Sequence, residues 1–212
     1  MRGSGITRLV LASASPRRRE LLTALGVEFE VVVPEVEELS EGEPREVVAE
    51  NALRKARAGL DLVGEGEVLV LGVDTDVSFD GALMGKAADE REARARLVAL
   101  SGRTHEVLSG IALIGPARAE FLAHSENNPA AAAGAPAERV GVASSLVTFK
   151  RLDDATLSLY LASGEWEDRA GAYAVQGLGS ILVEKVQGDV SNVIGLPLAL
   201  LLELAPELGK SM

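Results

Sequence analysis

The segment Ser13-Ala14-Ser15-Pro16-Arg17-Arg18-Arg19 brings two hydroxyl groups and three guanidinium groups together near the start of the chain. Ser15 followed by Pro16 is typical of the first residues of a helix. The free N–H groups and positive end of a helix favour phosphate, and arginine binds phosphate through two hydrogen bonds at once. The segment therefore indicates a phosphate site. A solvated basic surface explains the same residues equally well, even though cations are locally unfavourable at a helix N-terminus.

Asp74 and Asp76 come directly after the apolar run Val-Leu-Val-Leu-Gly-Val at 68–73. Residues two apart on an extended chain face the same side, and in open α/β sheets ligands bind beyond the carboxyl ends of strands. Two carboxylates at such a position can hold a divalent cation or activate a water molecule. The alternative is that one or both carboxylates cap a turn.

Lys55 is informative because of the helix face on which it lies. A helix predicted over 44–62 carries a small apolar face that consists of Val48, Ala52, Ala56 and Gly59. Lys55 lies on that face, three residues after Ala52. Its ammonium must therefore either extend along the surface to water or point into a cleft.

Other polar residues carry weaker signals when each is considered alone. Lys86 is an ordinary loop lysine just before a helix, and Glu35, Glu37 and Glu38 form an acidic loop cluster. His105, early in a predicted strand, is interpreted as a structural hydrogen-bonding residue. Gln176 lies in a glycine-rich turn that could bring it to the edge of a base.

The composition excludes several classes of function. The chain has 212 residues, a net charge of −11, 3% aromatic residues, no cysteine and two histidines. The acidic charge and the scarcity of aromatic residues argue against a nucleic-acid-binding surface. The lack of cysteine excludes disulfides and thiolate metal sites, and it is consistent with the cytoplasm. No apolar run approaches the ~18 residues that a membrane span needs, so no membrane partner is expected.

Strands and helices alternate along the chain, which predicts the α/β class. We predict helices at 16–25, 44–62, 88–100, 154–162 and 197–204. We predict strands at 7–12, 28–33, 67–73, 104–114, 140–149 and 180–186, with a hairpin about Gly81 between short strands near 76–80 and 82–84. The segment 115–138 is rich in Pro, Ala, Gly and Asn, which predicts a flexible surface insertion.

Eight segments in order resemble the Maf family of nucleoside triphosphate pyrophosphatases and span about residues 7–204. They are S-A-S-P-R-R-R at 13–19, V-E-E at 36–38, A-L-R-K-A at 52–56, G-V-D-T at 72–75, L-M-G-K at 83–86, L-S-G-R-T-H-E-V at 100–107, A-G-A-Y-A-V-Q-G-L-G at 170–179 and S-N-V-I-G-L-P at 191–197. The resemblance implies a single domain over 1–212, with an elongated mixed sheet flanked by helices and two lobes around a central cleft, as in inosine triphosphatase-like proteins. It also implies a homodimer as a common assembly.

The family's reaction, which the resemblance implies here, is hydrolysis of a nucleoside triphosphate to the monophosphate and pyrophosphate with Mg or Mn. Asp74 matches the aspartate that accepts a proton. The residues that match positions holding the triphosphate are Ser13, Arg18, Lys55 and Lys86.

The resemblance also implies roles in base choice and metal binding. Glu38 matches the acidic residue that helps Asp74 with the metal. Arg17, Thr75 and Gln176 match positions that set base choice, and the A-G-A-Y-x-x-Q-G form resembles the branch that acts on dTTP, UTP and modified pyrimidine nucleotides. Arg19 is expected to be a surface residue.

Three departures from the family pattern bear on the site. Asp76 stands where the family has an apolar residue, Ala87 replaces the usual proline, and the segment 115–138 is longer than the family needs. Asp76 is expected either to add a metal ligand or to disturb the site. Two alternatives to pyrimidine nucleotide hydrolysis stay open: the same reaction on a modified purine nucleotide, and a non-catalytic nucleotide-binding regulator of cell division.

Overall fold

The fold is built on one mixed β-sheet with helices packed against it. The computed structural model describes residues 8–64, 66–116 and 136–210. Within these ranges the strands are β1 (Arg8–Ala12), β2 (Phe29–Val32), β3 (Val68–Phe79), β4 (Ala82–Leu83), β5 (Thr104–Gly115), β6 (Ala137–Phe149) and β7 (Val183–Gln187). The α-helices are α1 (Pro16–Ala24), α2 (Pro44–Val63), α3 (Glu90–Leu100), α4 (Asp154–Ala162), α5 (Val190–Ile194) and α6 (Leu198–Leu204). The predicted α/β class, with a mixed sheet flanked by helices, is confirmed.

Strand β3 joins a parallel part of the sheet to an antiparallel part. The strand order is β2-β1-β3-β5-β6-β7, and β4 pairs with the end of β3. β1 is parallel to both β2 and β3, whereas β3, β5, β6 and β7 pair in antiparallel fashion. β1 stops where Ala12 lies opposite Gly72, but β5 continues beside β3 as far as Ser78. One edge of β3 is therefore free of a neighbouring strand between Gly72 and the β4 contact at Ser78, within the described ranges.

Two main hydrophobic clusters lie on either side of this free stretch of β3. The first packs β1, α1 and α6 around the first half of β3 and includes Val73. The second packs α3 and α4 against β5 and β6 and includes Val77. The predicted central cleft opens along β3 between these two valines.

Helix α2 contacts the sheet closely because the strands beneath it carry glycine. A Cβ atom at Gly72 would lie 2.1 Å from the carbonyl oxygen of Ala52, and one at Gly110 would lie 2.1 Å from that of Val48. Glycine is therefore required at both positions, because any side chain would collide with the backbone of α2. The buried face of α2 includes Val48, Ala52, Ala56 and Gly59, as the helical spacing predicts.

The structure corrects several predicted boundaries. β3 does not end at 73 but continues to Phe79, because it stays paired with β5. The strand predicted at 180–186 begins only at Val183, after a 3₁₀-helix at Gly177–Ile181. The short helix α5 was not predicted. The turn at Gly81 is confirmed between β3 and β4.

Strands β5 and β6 occupy the ends of the segment that was predicted as a flexible surface insertion at 115–138. Their pairing reaches Gly115 opposite Ala137, and residues 117–135 of that prediction lie outside the described residues. In the ranges that the structure describes, no helix is long and apolar enough to cross a membrane.

Candidate active site

A single cleft brings together every residue that the sequence predicts for the site. Its volume is about 910 Å³, which suits a ligand of nucleotide size. The predicted residues that line it are Ser13, Arg17, Arg18, Glu38, Lys55, Asp74, Thr75, Lys86 and Gln176. Their convergence is a property of the fold, since they come from six separate segments of the chain.

Parallel pairing explains why three of these segments meet. The carboxyl ends of β1, β2 and β3 point to the same edge of the sheet. Ser13 directly follows β1, the loop with Glu38 follows β2, and Asp74 lies just past the end of the β1 pairing. Ligands in open α/β sheets bind at this kind of edge.

Lys55 lies between two carboxylates. Its ammonium nitrogen Nζ is 2.7 Å from Oδ1 of Asp74 and 3.1 Å from Oε1 of Glu38. The side chains of Lys55 and Asp74 are only 13% and 11% exposed, whereas that of Glu38 is half exposed. The lysine therefore points into the cleft rather than to bulk water, which answers the question that its helix face left open.

Asn51 is a site residue that the sequence did not predict. Its side chain is 2% exposed and lies one helical turn before Lys55. Its amide nitrogen donates to the carbonyl oxygen of Leu39 (2.9 Å) and to Oδ2 of Asp74 (3.1 Å). Its Oδ1 accepts from the Leu39 backbone N–H at 2.7 Å. The available signal was an asparagine at a buried position of α2, three residues after Val48.

Arg18 connects three parts of the cleft wall. Its guanidinium donates to Ser13 Oγ (2.9 Å), to Thr75 Oγ1 (3.2 Å) and to the carbonyl oxygen of Gly195 (2.9 Å). Burial lowers the pKa of Arg18 from its ordinary value, and the charges of Asp74 and Glu38 oppose that shift. The exposed Arg19 next to it is a surface residue, as expected.

A second group of cations lines another part of the cleft. Burial, together with the positive charges of Arg169 and Arg18, lowers the pKa of Arg17 to about 10. Arg169 also lines the cleft and was not predicted; its Nε donates to the carbonyl oxygen of Glu165 at 3.1 Å. Like charges held together in this way favour an anionic ligand. Gln176 lines the same cleft, at the N-terminal cap of the 3₁₀-helix.

Asp76 holds the loop that carries Lys86. Its Oδ1 accepts from the backbone N–H of Val77 (2.7 Å) and of Gly85 (2.9 Å), while Arg96 donates to the carbonyl oxygen of Gly85. Burial raises the pKa of Asp76 to about 6. Lys86 itself is largely exposed and only 3.5 Å from Asp168. Asp76 therefore holds the backbone of this loop at Gly85, next to Lys86.

His105 has a structural role, as predicted. It is 3% exposed, and its Nε2 is 2.8 Å from the hydroxyl oxygen of Tyr173. Both rings pack edge-to-face with Phe149. Burial lowers the pKa of His105 to about 4, so the ring is neutral at neutral pH.

Glu38 and Asp74 are candidate metal ligands in this cleft. Among the described residues, no group of three or more His, Asp or Glu side chains has the arrangement of a metal cage. Glu38 and Asp74 share the Lys55 ammonium and are a pair of oxygen donors that could hold a cation together. Mg²⁺ is typically bound by one or two carboxylates together with substrate phosphates, and this pair fits that pattern.

An α/β fold with a cationic cleft at the carboxyl ends of its parallel strands, and a buried aspartate within it, is typical of proteins that bind a polyphosphate or a similar anion. The family model described as Maf-like protein matches residues 8–208. The chain belongs to this family.

Close relatives share almost the whole chain. A dTTP/UTP pyrophosphatase of Deinococcus radiodurans is 42% identical over 205 residues, which are 96% of this chain and 94% of the relative. Relatives with the same name in Caldanaerobacter subterraneus and Dictyoglomus thermophilum are 41% and 39% identical. These alignments cover 94% of this chain and 88% of the first relative, and 96% of this chain and 97% of the second.

Solved structures give a more distant likeness. A nucleoside-triphosphatase (dITP/XTP pyrophosphatase) of Mycobacterium abscessus matches with a TM-score of 0.41 and 20% identity, over 69% of this chain and 76% of that one. The Ham1 protein of Staphylococcus aureus matches with a TM-score of 0.43 and 14% identity, over 68% and 72%.

Proposed function

We propose that this chain is a nucleoside triphosphate pyrophosphatase that hydrolyses dTTP and UTP, including modified pyrimidine forms, to the monophosphate and pyrophosphate. The observation that carries the proposal is the position of Asp74, a buried carboxylate paired with Lys55 in a cleft lined by Arg17, Arg18 and Lys86. The names of relatives that are about 40% identical over nearly the whole chain support the substrate class.

The cations in the cleft offset the charge of the substrate. A nucleoside triphosphate carries about four negative charges, and charge on the α-phosphate and the leaving pyrophosphate grows in the transition state. Arg18 and Lys86 are proposed to bind phosphate oxygens together with Ser13. Lys55 would be drawn from its carboxylate partners toward the incoming phosphates, because the triphosphate carries more negative charge than either carboxylate.

Asp74 is proposed as the general base. Once Lys55 turns toward phosphate, Oδ1 of Asp74 is free to accept a proton from a water molecule aligned with the α-phosphate. Asn51 keeps Oδ2 in place during that step. Mg²⁺ or Mn²⁺, held by Glu38, Asp74 and the phosphates, would supply Lewis-acid stabilisation of the phosphoryl oxygens.

Base choice is proposed to come from Arg17, Thr75 and Gln176. Thr75 Oγ1 is 2.9 Å from Ser109 Oγ and also accepts from Arg18, so its position is fixed from two sides. Gln176 and Arg17 line the same cleft, and a glutamine amide can pair with both a donor and an acceptor on a pyrimidine edge.

A nucleotide screen tests the proposal. Pyrophosphate release should be measured with Mg²⁺ or Mn²⁺ on common and modified nucleoside triphosphates, with the Asp74→Asn variant and an Asp61→Asn control. Asp61 lies exposed on α2. We expect turnover of dTTP or UTP, a loss of about 100-fold or more in Asp74→Asn, and no change in the control. Full activity in Asp74→Asn would rule out the proposed base. A purine preference would change the substrate, and no turnover of any nucleotide would favour the regulator.

A further inference from the structure

Asn51 has an unusually complete set of partners for a buried side chain. Its amide carries two N–H donors, and these go to the Leu39 carbonyl oxygen and to Oδ2 of Asp74. Its carbonyl oxygen accepts from the Leu39 backbone N–H. One side-chain amide therefore binds both the N–H and the carbonyl group of Leu39. The same amide is hydrogen-bonded to Asp74, the predicted general base.

These partners fix the orientation of the amide. Only the NH₂ group can donate to a carbonyl and a carboxylate, and only Oδ1 can accept from an N–H group. If the Asn51 amide were flipped, its oxygen would face the Leu39 carbonyl oxygen and Oδ2 of Asp74, and none of these oxygens can donate. The arrangement cannot slip without leaving buried polar groups unpaired.

Leu39 follows Glu38 in a loop that contains neither helix nor strand over 33–40. Two further bonds from α2 reach the same loop: Arg54 donates to the carbonyl oxygen of Glu37 (2.9 Å), and Lys55 pairs with Glu38. Of these α2 residues, Asn51 is the one that holds the backbone of the loop at both an N–H and a carbonyl group. Its bonds are also the most buried.

We propose that Asn51 is a positioning residue that sets the separation of Glu38 and Asp74 by holding the loop and the base through one amide. This inference rests on the proposed function, because it assigns the two carboxylates to one reaction. Asn51 lines the cleft, but both of its amide N–H donors are taken by Leu39 and Asp74. It acts through Asp74, because it donates to Oδ2 of that residue. It also acts through Leu39, because holding the Leu39 backbone fixes the position of the preceding residue, Glu38.

Such a role predicts a specific kinetic change. Partners that orient the groups around a metal or a base commonly contribute 10- to 100-fold in activity. In Asn51→Ala we expect kcat to fall by about that factor while the nucleotide KM stays within about threefold, because the phosphate-binding cations are untouched. Asn51→Asp keeps the size and one acceptor but loses both donors, so it should be at least as impaired.

The matched control is Asn192→Ala. Asn192 is the other fully buried asparagine of the described chain, and it donates to the Val107 carbonyl oxygen and to Ser145 Oγ, both at 3.0 Å. Its loss removes a comparable pair of bonds that do not involve Asp74 or Leu39. We expect a lower melting temperature in Asn192→Ala with kcat within about twofold of the parent, because removing a buried hydrogen-bonding group leaves its partners unpaired and reduces stability.

Hydrogen–deuterium exchange on the unliganded protein tests the contact without any assay of turnover. The Leu39 amide hydrogen should exchange at least about tenfold faster in Asn51→Ala than in the parent and in Asn192→Ala, because its acceptor is gone. Unchanged exchange at Leu39, or a parent-like kcat in Asn51→Asp, would overturn the proposal. A raised KM with an unchanged kcat would overturn it too. If the parent hydrolyses no nucleotide, the proposed function fails, and the exchange result then shows separately whether the loop is held as described.

Discussion

Lys55 on α2 and Asp74 on β3 form an ion pair with 2.7 Å between Nζ and Oδ1, and both side chains are nearly buried. The pair depends on the close approach of the helix to the strand at Gly72, two residues before Asp74. The packing of α2 on the sheet therefore determines the distance between these two charges. A change that lifts α2 from the sheet also separates the lysine from the carboxylate.

Gly72→Ala should be strongly destabilising. The new Cβ would lie 2.1 Å from the Ala52 carbonyl oxygen and 2.6 Å from the Ala56 nitrogen, both on the helix backbone. We expect the free energy of unfolding to fall by about 3 kcal/mol or more. Urea denaturation would measure the change, with Gly209→Ala as control because its nearest neighbour is a leucine methyl at 3.5 Å. Equal stability of the two variants would contradict the close packing of α2.

Lys55→Met should separate metal binding from turnover. Without the ammonium, Asp74 and Glu38 keep their charges but lose the cation between them. We expect Mn²⁺ to bind the free protein about tenfold more tightly or better, because one positive charge within ~4 Å is removed. Turnover should fall sharply because the phosphates lose a partner.

Calorimetric titration of Mn²⁺ would measure this effect. Arg57→Met is a suitable control, since Arg57 lies on the same helix but pairs with Glu138. An unchanged Mn²⁺ affinity in Lys55→Met would show that Mn²⁺ does not bind between Glu38 and Asp74 at the position of the Lys55 ammonium.

Arg18→Lys should destabilise the cleft wall. Three donor groups of Arg18 reach Ser13, Thr75 and Gly195, and one ammonium cannot reproduce that planar geometry. We expect a loss of about 2–3 kcal/mol in the free energy of unfolding, together with a lower kcat/KM. Arg19→Lys, at an exposed neighbouring position, should change neither quantity. A melting temperature of Arg18→Lys equal to that of the parent would argue against the threefold anchor.

His105→Gln should alter how stability depends on pH. The pKa of His105 is lowered from 6.5 to about 4 in the folded state. Between pH 6.5 and about pH 4 the imidazole is therefore protonated in the unfolded chain but neutral in the folded protein. The parent therefore loses stability as pH falls from about 6.5 to about 4, by up to ~3 kcal/mol from this group. The glutamine side chain does not titrate, so the difference in unfolding free energy between parent and variant should shrink as pH falls through this range. A constant difference from about pH 7 to about pH 4 would contradict a buried neutral imidazole.

The sequence predicted the elements of the fold better than their lengths. Periodicity and caps located α2 and α4, where Pro44 opens the first helix and Asp153 caps the second. The true length of β3 was hidden because Asp74 and Asp76 interrupt the apolar pattern that marks a buried strand. Those aspartates remain in the strand because β5 supplies their backbone partners, and a pairing between distant segments leaves no trace in local periodicity.

The candidate site was predicted as a set of residues but not as a set of contacts. Motif resemblance gathered Lys55, Asp74 and Glu38, and the cleft brings them together. Asn51 and Arg169 were missed because asparagine within a helix and arginine in a loop have no distinctive pattern. Asn51 and Arg169 stand out only through their neighbours, Asp74 and Arg17. These neighbours are brought close by the packing of α2 and the loops, which the sequence does not show.

The position of β3 between a parallel and an antiparallel neighbour also has a consequence for the order of folding. β3 and β5 are joined through β4 and α3, whereas β1 reaches β3 only after the chain has passed through α1, β2 and α2. Closing the longer path costs more entropy, and parallel pairing forms slowly. In refolding experiments we therefore expect the antiparallel strands to form before β1 pairs with β3. Return of activity would then lag behind return of the β-sheet circular dichroism signal, and the delay would measure when β1 joins the sheet.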